Sequence, residues 1–170
     1  MRRNRARSSA SQNRANSDTP EKAREYAFLL LKFRLRSAKE LEQRLKQKGF
    51  SEGVSCETVK FLKDKEFIDD RVFARGWVSS RLKRPFGLRR IKQELIQKGI
   101  GKEVIENAVS WAKEDYHEAL VVKQLAEQRF AKSKGIEALR AKQRIYAYLI
   151  RRGFSPDLVS DAVRKLPNER

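Results

Sequence analysis

The chain has 170 residues, with 40 lysines and arginines against 22 aspartates and glutamates, a formal net charge of +18. Such an excess of positive charge favours a polyanionic partner such as nucleic acid. A single cysteine, Cys56, and a single histidine, His117, exclude a disulfide framework and a Cys/His zinc site within the chain. No apolar run approaches the roughly 18 residues that cross a bilayer, so we expect a cytoplasmic protein with no membrane partner.

The first 17 residues differ in composition from the rest of the chain. They contain five arginines, no acidic residue and almost no bulky apolar side chain, so they cannot bury enough surface to become ordered. We expect residues 1–20 to form a disordered basic arm that strengthens nucleic-acid binding. An organelle transit peptide, which is also rich in Arg and Ser, is the alternative. Without these five charges the remainder of the chain still carries +13.

A pattern of a leucine, three variable residues, a glycine and an apolar residue occurs three times. The three copies are Leu45–Gly49–Phe50, Leu95–Gly99–Ile100 and Leu149–Gly153–Phe154. The glycine suits the left-handed residue that ends a helix, and the two apolar residues then make the contact of a Schellman motif. The leucines are separated by 50 and then 54 residues, a period that predicts small stacked helical units.

Apolar residues recur at helical spacing on both sides of each turn, and a further helical run precedes each pair of helices. The sequence therefore predicts an all-α protein, a tandem array of three three-helix repeats that is elongated and curved. We place the repeats at residues 21–68, 69–115 and 116–168.

Several helix boundaries carry their own signals. Ser37 and Glu40 have the spacing of a capping box, and Asp69 is predicted to begin a helix as its N-cap. The Pro-Phe-Gly segment 85–87 separates two helical runs, since proline disfavours the helical conformation in the residue before it. Ser155, followed by proline, is predicted to begin the last helix.

Three basic stretches each cover the middle helix of a repeat and the loop that enters it. Residues 32–48, 81–100 and 138–156 carry net charges of +5, +6 and +5. In stacked repeats they would line up as a stripe that suits a phosphate backbone; a merely solvated charged face is the alternative. The candidate nucleic-acid-binding residues are Arg81, Lys83, Arg84, Arg89, Arg90, Lys92, Lys98, Arg140, Lys142, Arg144, Arg151 and Arg152.

Within the second stretch, three residues are the strongest candidates for the contact. Ile91 and Leu95 are expected to face the core, so Arg89, Arg90 and Lys92 are expected to ring the exposed side of the same helix.

No catalytic, metal or cofactor site is expected, and we predict that the protein is not an enzyme. Asp69 and Asp70 are the acidic pair that a metal-dependent nuclease would need, but a helix N-terminus explains them better. His117 has no partner for a catalytic triad and is interpreted as a surface residue between repeats. Cys56 is placed in a short polar turn. A Gly-rich phosphate loop is missing from the sequence.

The aromatic residues are interpreted mainly as structural. Trp77 and Trp111 lie in amphipathic runs and are expected in the core. Phe86 lies in the most basic loop, where it could stack on a base, although an anchor for the loop is favoured. Tyr146 and Tyr148 are about 160° apart on a helix, so at least one of them should miss the core.

Two longer motifs connect these residues. The first is Phe67-Ile68-Asp69-Asp70-x-x-Phe73-Ala74-x-x-Trp77-x-x-x-Arg81, continued by Gly87-x-x-Arg90-Ile91-x-x-Glu94-Leu95-x-x-Lys98-Gly99-Ile100. The second is Arg36-Ser37-x-x-Glu40-Leu41-x-x-x-Leu45-x-x-Lys48-Gly49-Phe50. Together they resemble the signature of the bacterial RecX family, the regulators of the RecA recombinase. The resemblance covers roughly residues 22–166 and is loosest in the third repeat.

Two features depart from the family pattern. Glu66 stands where family members often carry glycine before the aromatic residue, so the turn there is expected to differ. The basic N-terminal arm is not a hallmark of the family.

The resemblance implies a curved array of three three-helix units without catalytic activity. It also implies binding in the helical groove of the RecA–DNA filament and suppression of filament growth and of the activities that depend on it. The expected partners are the RecA filament and single-stranded or double-stranded DNA, and the protein is expected to be a monomer. Two alternatives are a stand-alone DNA- or RNA-binding helical module and a nuclease that uses Asp69 and Asp70. Capping of filament ends, blocking of the groove and displacement of subunits all stay open as modes of inhibition.

Overall fold

Every regular element in the computed structural model, which describes residues 18–168, is an α-helix. The helices are α1 (Pro20–Phe33), α2 (Ala38–Lys48), α3 (Glu52–Asp64), α4 (Asp70–Leu82), α5 (Leu88–Gln97), α6 (Lys102–Lys113), α7 (Glu118–Lys132), α8 (Ala138–Arg151) and α9 (Pro156–Arg164). The prediction of an all-α protein is confirmed. The predicted basic arm lies, up to residue 17, outside the described residues.

The described part of the chain divides into two compact units, one that ends at residue 73 and one that begins at residue 74. In the first unit, α1, α2 and α3 pack on one another around a core that includes the fully buried Ala27, Leu41, Leu45 and Leu62. In the second unit, α5 packs on α6, and α7, α8 and α9 enclose a second core. Its largest fully buried side chain is that of Phe154.

The three predicted Schellman turns are present. In the first, the Phe50 N–H donates to the Leu45 carbonyl oxygen at 3.2 Å and the Gly49 N–H donates to the Lys46 carbonyl oxygen at 3.1 Å. The same two bonds recur at the ends of α5 and α8. The φ angles of the three glycines are 108°, 77° and 83°, in the left-handed region where a residue without Cβ is favoured.

The turn after α3 has the same geometry with a different residue. Glu66 has a φ of 57°, its N–H donates to the Lys63 carbonyl oxygen at 2.9 Å, and the Phe67 N–H donates to the Leu62 carbonyl oxygen at 2.9 Å. The expectation that Glu66 changes this turn is therefore wrong. The backbone hydrogen bonds hold a non-glycine residue in the left-handed region, which carries a steric cost.

The predicted helix starts are found where the sequence places them. The Ser37 hydroxyl accepts from the Glu40 N–H at 3.1 Å, and an Asp69 carboxylate oxygen accepts from the Arg71 N–H at 2.6 Å. Ser155 is the N-cap of α9, and segment 85–87 lies between α4 and α5. In the described part of the chain, every helix is too short or too polar to cross a membrane.

Candidate nucleic-acid interface

Two amphipathic helices of the second unit carry most of the candidate basic residues. In α5, Ile91 and Leu95 are fully buried, and in α8, Ile145 and Leu149 are buried in the same way. The 3.6-residue period of a helix then turns the arginines and lysines between these positions away from the core.

Glu94 is a carboxylate that organises part of this basic surface. One of its oxygens accepts from the Arg81 Nε at 2.7 Å and from the Trp77 indole N–H at 3.0 Å. The other oxygen accepts from the Arg90 Nε at 3.0 Å. Burial acts to raise the pKa of the Glu94 carboxyl, but the hydrogen bonds from Arg90, Arg81 and Trp77 outweigh it and leave the pKa below its ordinary value. Glu94 therefore stays ionised and fixes two guanidinium groups.

Phe86 lies among three guanidinium groups. The guanidinium carbons of Arg90, Arg152 and Arg81 are 4.4, 5.1 and 5.9 Å from its ring centroid, within the range of cation–π attraction. The interpretation of Phe86 as an anchor of the loop is favoured by these contacts, because they cover the ring. In the sequence, Arg152 belongs to a different basic stretch from Arg81 and Arg90, and the structure joins all three around one aromatic ring.

Trp77 provides a second aromatic contact for the basic side chains. The Arg81 guanidinium carbon lies 4.3 Å, and the Lys98 ammonium nitrogen 4.0 Å, from the centroid of its ring. Trp77 is half-buried.

The loop between α4 and α5 is fastened to later parts of the second unit. The Gly87 N–H donates to the Arg152 carbonyl oxygen at 2.9 Å, and the Tyr116 hydroxyl donates to the Phe86 carbonyl oxygen at 3.4 Å. Glu118 accepts from the Leu88 N–H at 2.8 Å and so caps α5, whose N-cap is a glycine without a side chain. Burial raises the pKa of Glu118, and it raises the pKa of Tyr116 to about 12.

The twelve candidate residues fall into three groups. Four pair with a carboxylate: Arg81 and Arg90 with Glu94, Lys92 with Glu106, and Arg140 with Glu137. Three make other contacts: Lys98 with Trp77, Arg152 with Phe86 and Tyr148, and Lys142 with Asn168. Five are exposed and form no ion pair within the described residues: Lys83, Arg84, Arg89, Arg144 and Arg151.

Arg89, Arg90 and Lys92 are all expected to be exposed, and the structure confirms this only for Arg89. Arg90 and Lys92 are partly buried. The Lys92 ammonium nitrogen lies 2.6 Å from a Glu106 carboxylate oxygen. Glu106 lies outside the basic stretch, and Glu94 enters the count only as one negative charge, so the net charge does not show which side chains are paired.

The first unit carries less excess positive charge than the second: residues 18–73 have 13 basic and 11 acidic side chains, whereas residues 74–168 have 21 and 10. Arg34 pairs with Glu40 at 3.0 Å, and Lys46 pairs with both Glu42 and Glu52 at 2.8 and 2.7 Å. Among the described residues, the larger net positive charge of the second unit makes it the better candidate for a phosphate contact.

The second unit also contains basic residues that sequence analysis missed. A cleft of about 410 Å³ between α7 and α8 is lined by Leu125, Arg129, Lys132, Ile136, Arg144 and Tyr148, with three further residues. We call it the α7–α8 cleft. Arg129 and Lys132 lie in the first helix of the repeat, whereas the three basic stretches of the sequence cover the middle helices. Both flank the apolar pair Phe130–Ala131 in α7, and this pattern was the available signal for a basic rim beside the core.

The remaining candidates have structural explanations. Asp70 accepts from the Ala38 N–H at 3.0 Å and lies 3.6 Å from Lys63, so the acidic pair holds helix ends. Within the described part of the chain, His, Cys, Asp and Glu form no group of three or more that could hold a metal ion. His117 is exposed at the start of α7, as predicted. Cys56 is exposed but lies within α3, not in a turn.

Two of the aromatic predictions have different outcomes. Trp111 is 43% exposed, so its placement in the core is wrong. Position 111 precedes the buried Ala112 in α6 and is thus rotated by about 100° from it. Tyr146 is exposed and Tyr148 packs against the core of α7–α9, which confirms that one of the two tyrosines misses the core.

Comparisons with known proteins place all three repeats in one family. The first RecX three-helix domain matches residues 23–62, the second matches residues 69–109 and the third matches residues 121–163. Regulatory protein RecX of Clostridium botulinum (strain Alaska E43 / Type E3) is 31% identical over 91% of this chain and 73% of its own length. Regulatory protein RecX of Pasteurella multocida is 36% identical over 78% of this chain and 80% of its own length.

Solved structures agree with these matches. The crystal structure of RecX from Lactobacillus salivarius has a TM-score of 0.73 and 25% identity, and the match covers 88% of this chain and 97% of that one. A further crystal structure, of regulatory protein RecX, has a TM-score of 0.74 at 24% identity over 89% of this chain and 74% of that one. The chain belongs to the RecX family of regulatory proteins.

Proposed function

We propose that this protein is a non-enzymatic regulator that binds RecA–DNA filaments and inhibits filament growth and recombinase activity. The observation that carries the proposal is the match of all three three-helix domains to the RecX family. Because the match extends from residue 23 to residue 163, it includes every helix that could contact a filament in the described part of the chain.

Direct DNA contact is the second part of the proposal. Lys83, Arg84, Arg89, Arg144 and Arg151 support it, because their charges are exposed and have no carboxylate partner among the described residues. Each phosphate that such a side chain neutralises releases condensed counterions, which drives binding at low salt. The ion-paired Arg81 and Arg90 have a different role in this proposal, since they shape the surface around Phe86.

The organisation of the protein follows from the same proposal. We infer repeats at residues 21–68, 69–115 and 116–168, preceded by a basic arm at residues 1–20. The protein acts as a cytoplasmic monomer without a cofactor, with the RecA filament and single-stranded or double-stranded DNA as partners.

The proposal is tested by ATP hydrolysis. RecA hydrolyses ATP while it is bound to single-stranded DNA, so loss of filament lowers the rate. We expect the rate to fall as this protein is added at or below an equal ratio to RecA. The control is a protein of similar size and positive charge without the three repeats.

An unchanged rate, with DNA binding intact, would favour the alternative of a stand-alone DNA- or RNA-binding helical module. The exposed cations of α5 and α8 are compatible with that alternative, so the ATPase assay is the measurement that separates the two.

A further inference from the structure

The α7–α8 cleft combines a positive rim with an apolar floor. Leu125 and Ile136 contribute apolar surface, and Arg129, Lys132 and Arg144 surround it. Among the described residues, no acidic side chain lines the cleft and none forms an ion pair with these three cations. The cleft therefore offers three uncompensated positive charges around a surface that water solvates poorly.

Arg129 is held in a defined position at this cleft. Its guanidinium carbon lies 3.4 Å from the centroid of the Tyr148 ring, which places it over the face of the ring. The contact is a close cation–π stack that fixes one side of the guanidinium group. The opposite side is left as a flat surface, since Arg129 is exposed.

This combination suits a nucleotide better than an acidic peptide. Bases of single strands stack on aromatic rings and on arginine guanidinium planes, and the phosphates bind to neighbouring cations. A volume of about 410 Å³ lies at the lower end of the range for small-molecule sites. A carboxylate side chain would satisfy the cations but would leave the apolar floor uncovered. A paired base is stacked within its duplex and cannot enter.

We propose that the α7–α8 cleft binds one nucleotide of an unpaired DNA strand, with the base stacked on Arg129 and the phosphate held by Lys132 and Arg144. The inference rests on the DNA contact in the proposed function and names the site of that contact in the third repeat. The Arg129–Tyr148 stack orders the platform before the strand arrives, which lowers the entropic cost of binding.

The test uses the full chain and a short single-stranded oligonucleotide that contains 2-aminopurine, whose fluorescence falls when the base stacks. The unmodified protein should quench the fluorescence on binding. Arg129→Ala should abolish the quench and weaken binding roughly tenfold, the effect of about one stacked base. Arg129→Lys keeps the charge but not the plane, so it should also lose the quench and weaken binding by a similar factor.

Two further variants separate charge from stacking. Arg144→Ala should weaken binding while leaving the quench at saturation. Arg164→Ala is the matched control, because Arg164 is an exposed arginine in α9 that pairs with Asp161, and it should change neither property. Circular dichroism confirms that each variant is folded, and binding to a duplex should change less than threefold in Arg129→Ala.

Several outcomes would overturn the inference. The first is a full quench in the folded Arg129→Ala variant, and the second is an equal loss of binding affinity in Arg129→Ala and Arg164→Ala. The third is displacement of the oligonucleotide by an equal concentration of free dAMP. Displacement by a short acidic peptide would assign the cleft to a protein partner instead. RecA is absent from this assay, and its inhibition is measured separately. If the protein inhibits RecA normally and binds the oligonucleotide without any quench, only the cleft is rejected. If the protein does not bind the oligonucleotide, the proposed DNA contact is rejected as well.

Discussion

The backbone N–H of Gly87 donates to the carbonyl oxygen of Arg152 at 2.9 Å, and so joins the loop before α5 to the end of α8. A Cβ on Gly87 would collide with the backbone of Gly153, and a Cβ on Gly153 would collide with Arg90. Two glycines therefore allow the second and third repeats to approach at the point where Arg90 and Arg152 surround Phe86. The basic surface of the second unit depends on this contact.

We predict that Gly87→Ala destabilises the protein, because backbone atoms cannot move aside for the added methyl group. The expected loss is about 1–3 kcal/mol, as for other overpacked sites, measured from urea unfolding. Gly101→Ala is the matched control. Gly101 is also a helix N-cap with an extended backbone, but its Cβ would meet open space. Equal stability of the two variants would show that the close approach at Gly87 is absent.

We predict that Glu66→Gly stabilises the protein. Glu66 occupies a left-handed conformation with a φ of 57°, which glycine adopts without a Cβ clash. The expected gain is on the order of 1 kcal/mol, since the relief of strain exceeds the added entropy of the unfolded chain. Gly49→Ala should lower the stability by a similar amount. Gly49 has a φ of 108°, which strains a residue with a Cβ, and the free space around it means that no clash with other residues adds to this cost. A lower Tm for Glu66→Gly would contradict this explanation.

We predict that Glu94→Gln lowers stability at neutral pH and weakens the response of the protein to acid. The pKa of Glu94 is lower in the folded state than its ordinary value of 4.5. Its ionised form therefore contributes stability above pH 4.5, and this contribution disappears as the pH falls through the folded-state pKa. Urea midpoints at pH 7 and pH 3 should differ less in Glu94→Gln than in the unmodified protein. Glu127→Gln, at an exposed site in α7, is the control and should keep the full difference.

We predict that replacing Arg89, Arg144 and Arg151 together by alanine weakens binding to single-stranded DNA about tenfold while the helices stay intact, because alanine is the best helix former. Each phosphate contact on a single strand adds about 0.7 to the slope of log K against log salt. The slope should thus fall in magnitude by about 2. The control replaces Lys123, Arg164 and Lys165, which removes the same charge from other exposed positions. Equal losses in both triple variants would indicate only a general effect of charge.

The Schellman turns could be predicted from the sequence because their requirements are local. A glycine, the leucine before it and the apolar residue after it specify both hydrogen bonds within six residues. The burial of Ile91 and Leu95 could be predicted in the same way, since helical spacing alone separates the two faces of α5. The helices and turns of each repeat could be predicted because their signals are local in the sequence.

The arrangement of the basic surface could not be predicted in the same way. The helical wheel shows that Arg90 leaves the core and lies one turn from Glu94, but not that Phe86 contacts it, because Phe86 belongs to a loop whose path is set by Gly87 and Gly153. The wheel also does not show that Arg129 of α7 meets Tyr148 of α8. Such contacts depend on how separate helices pack, which a charge count along one stretch does not contain.

The proposed regulation of RecA is tested most directly by the rate of RecA filament growth on single-stranded DNA, followed with a fluorescent label on the DNA. RecA is mixed with DNA and ATP in the presence of this protein or of the triple variant at Arg89, Arg144 and Arg151. We predict that the unmodified protein slows filament growth at or below an equal ratio to RecA, and that about tenfold more of the variant is needed for the same effect. Unchanged filament growth at an excess of the folded, unmodified protein would contradict this prediction.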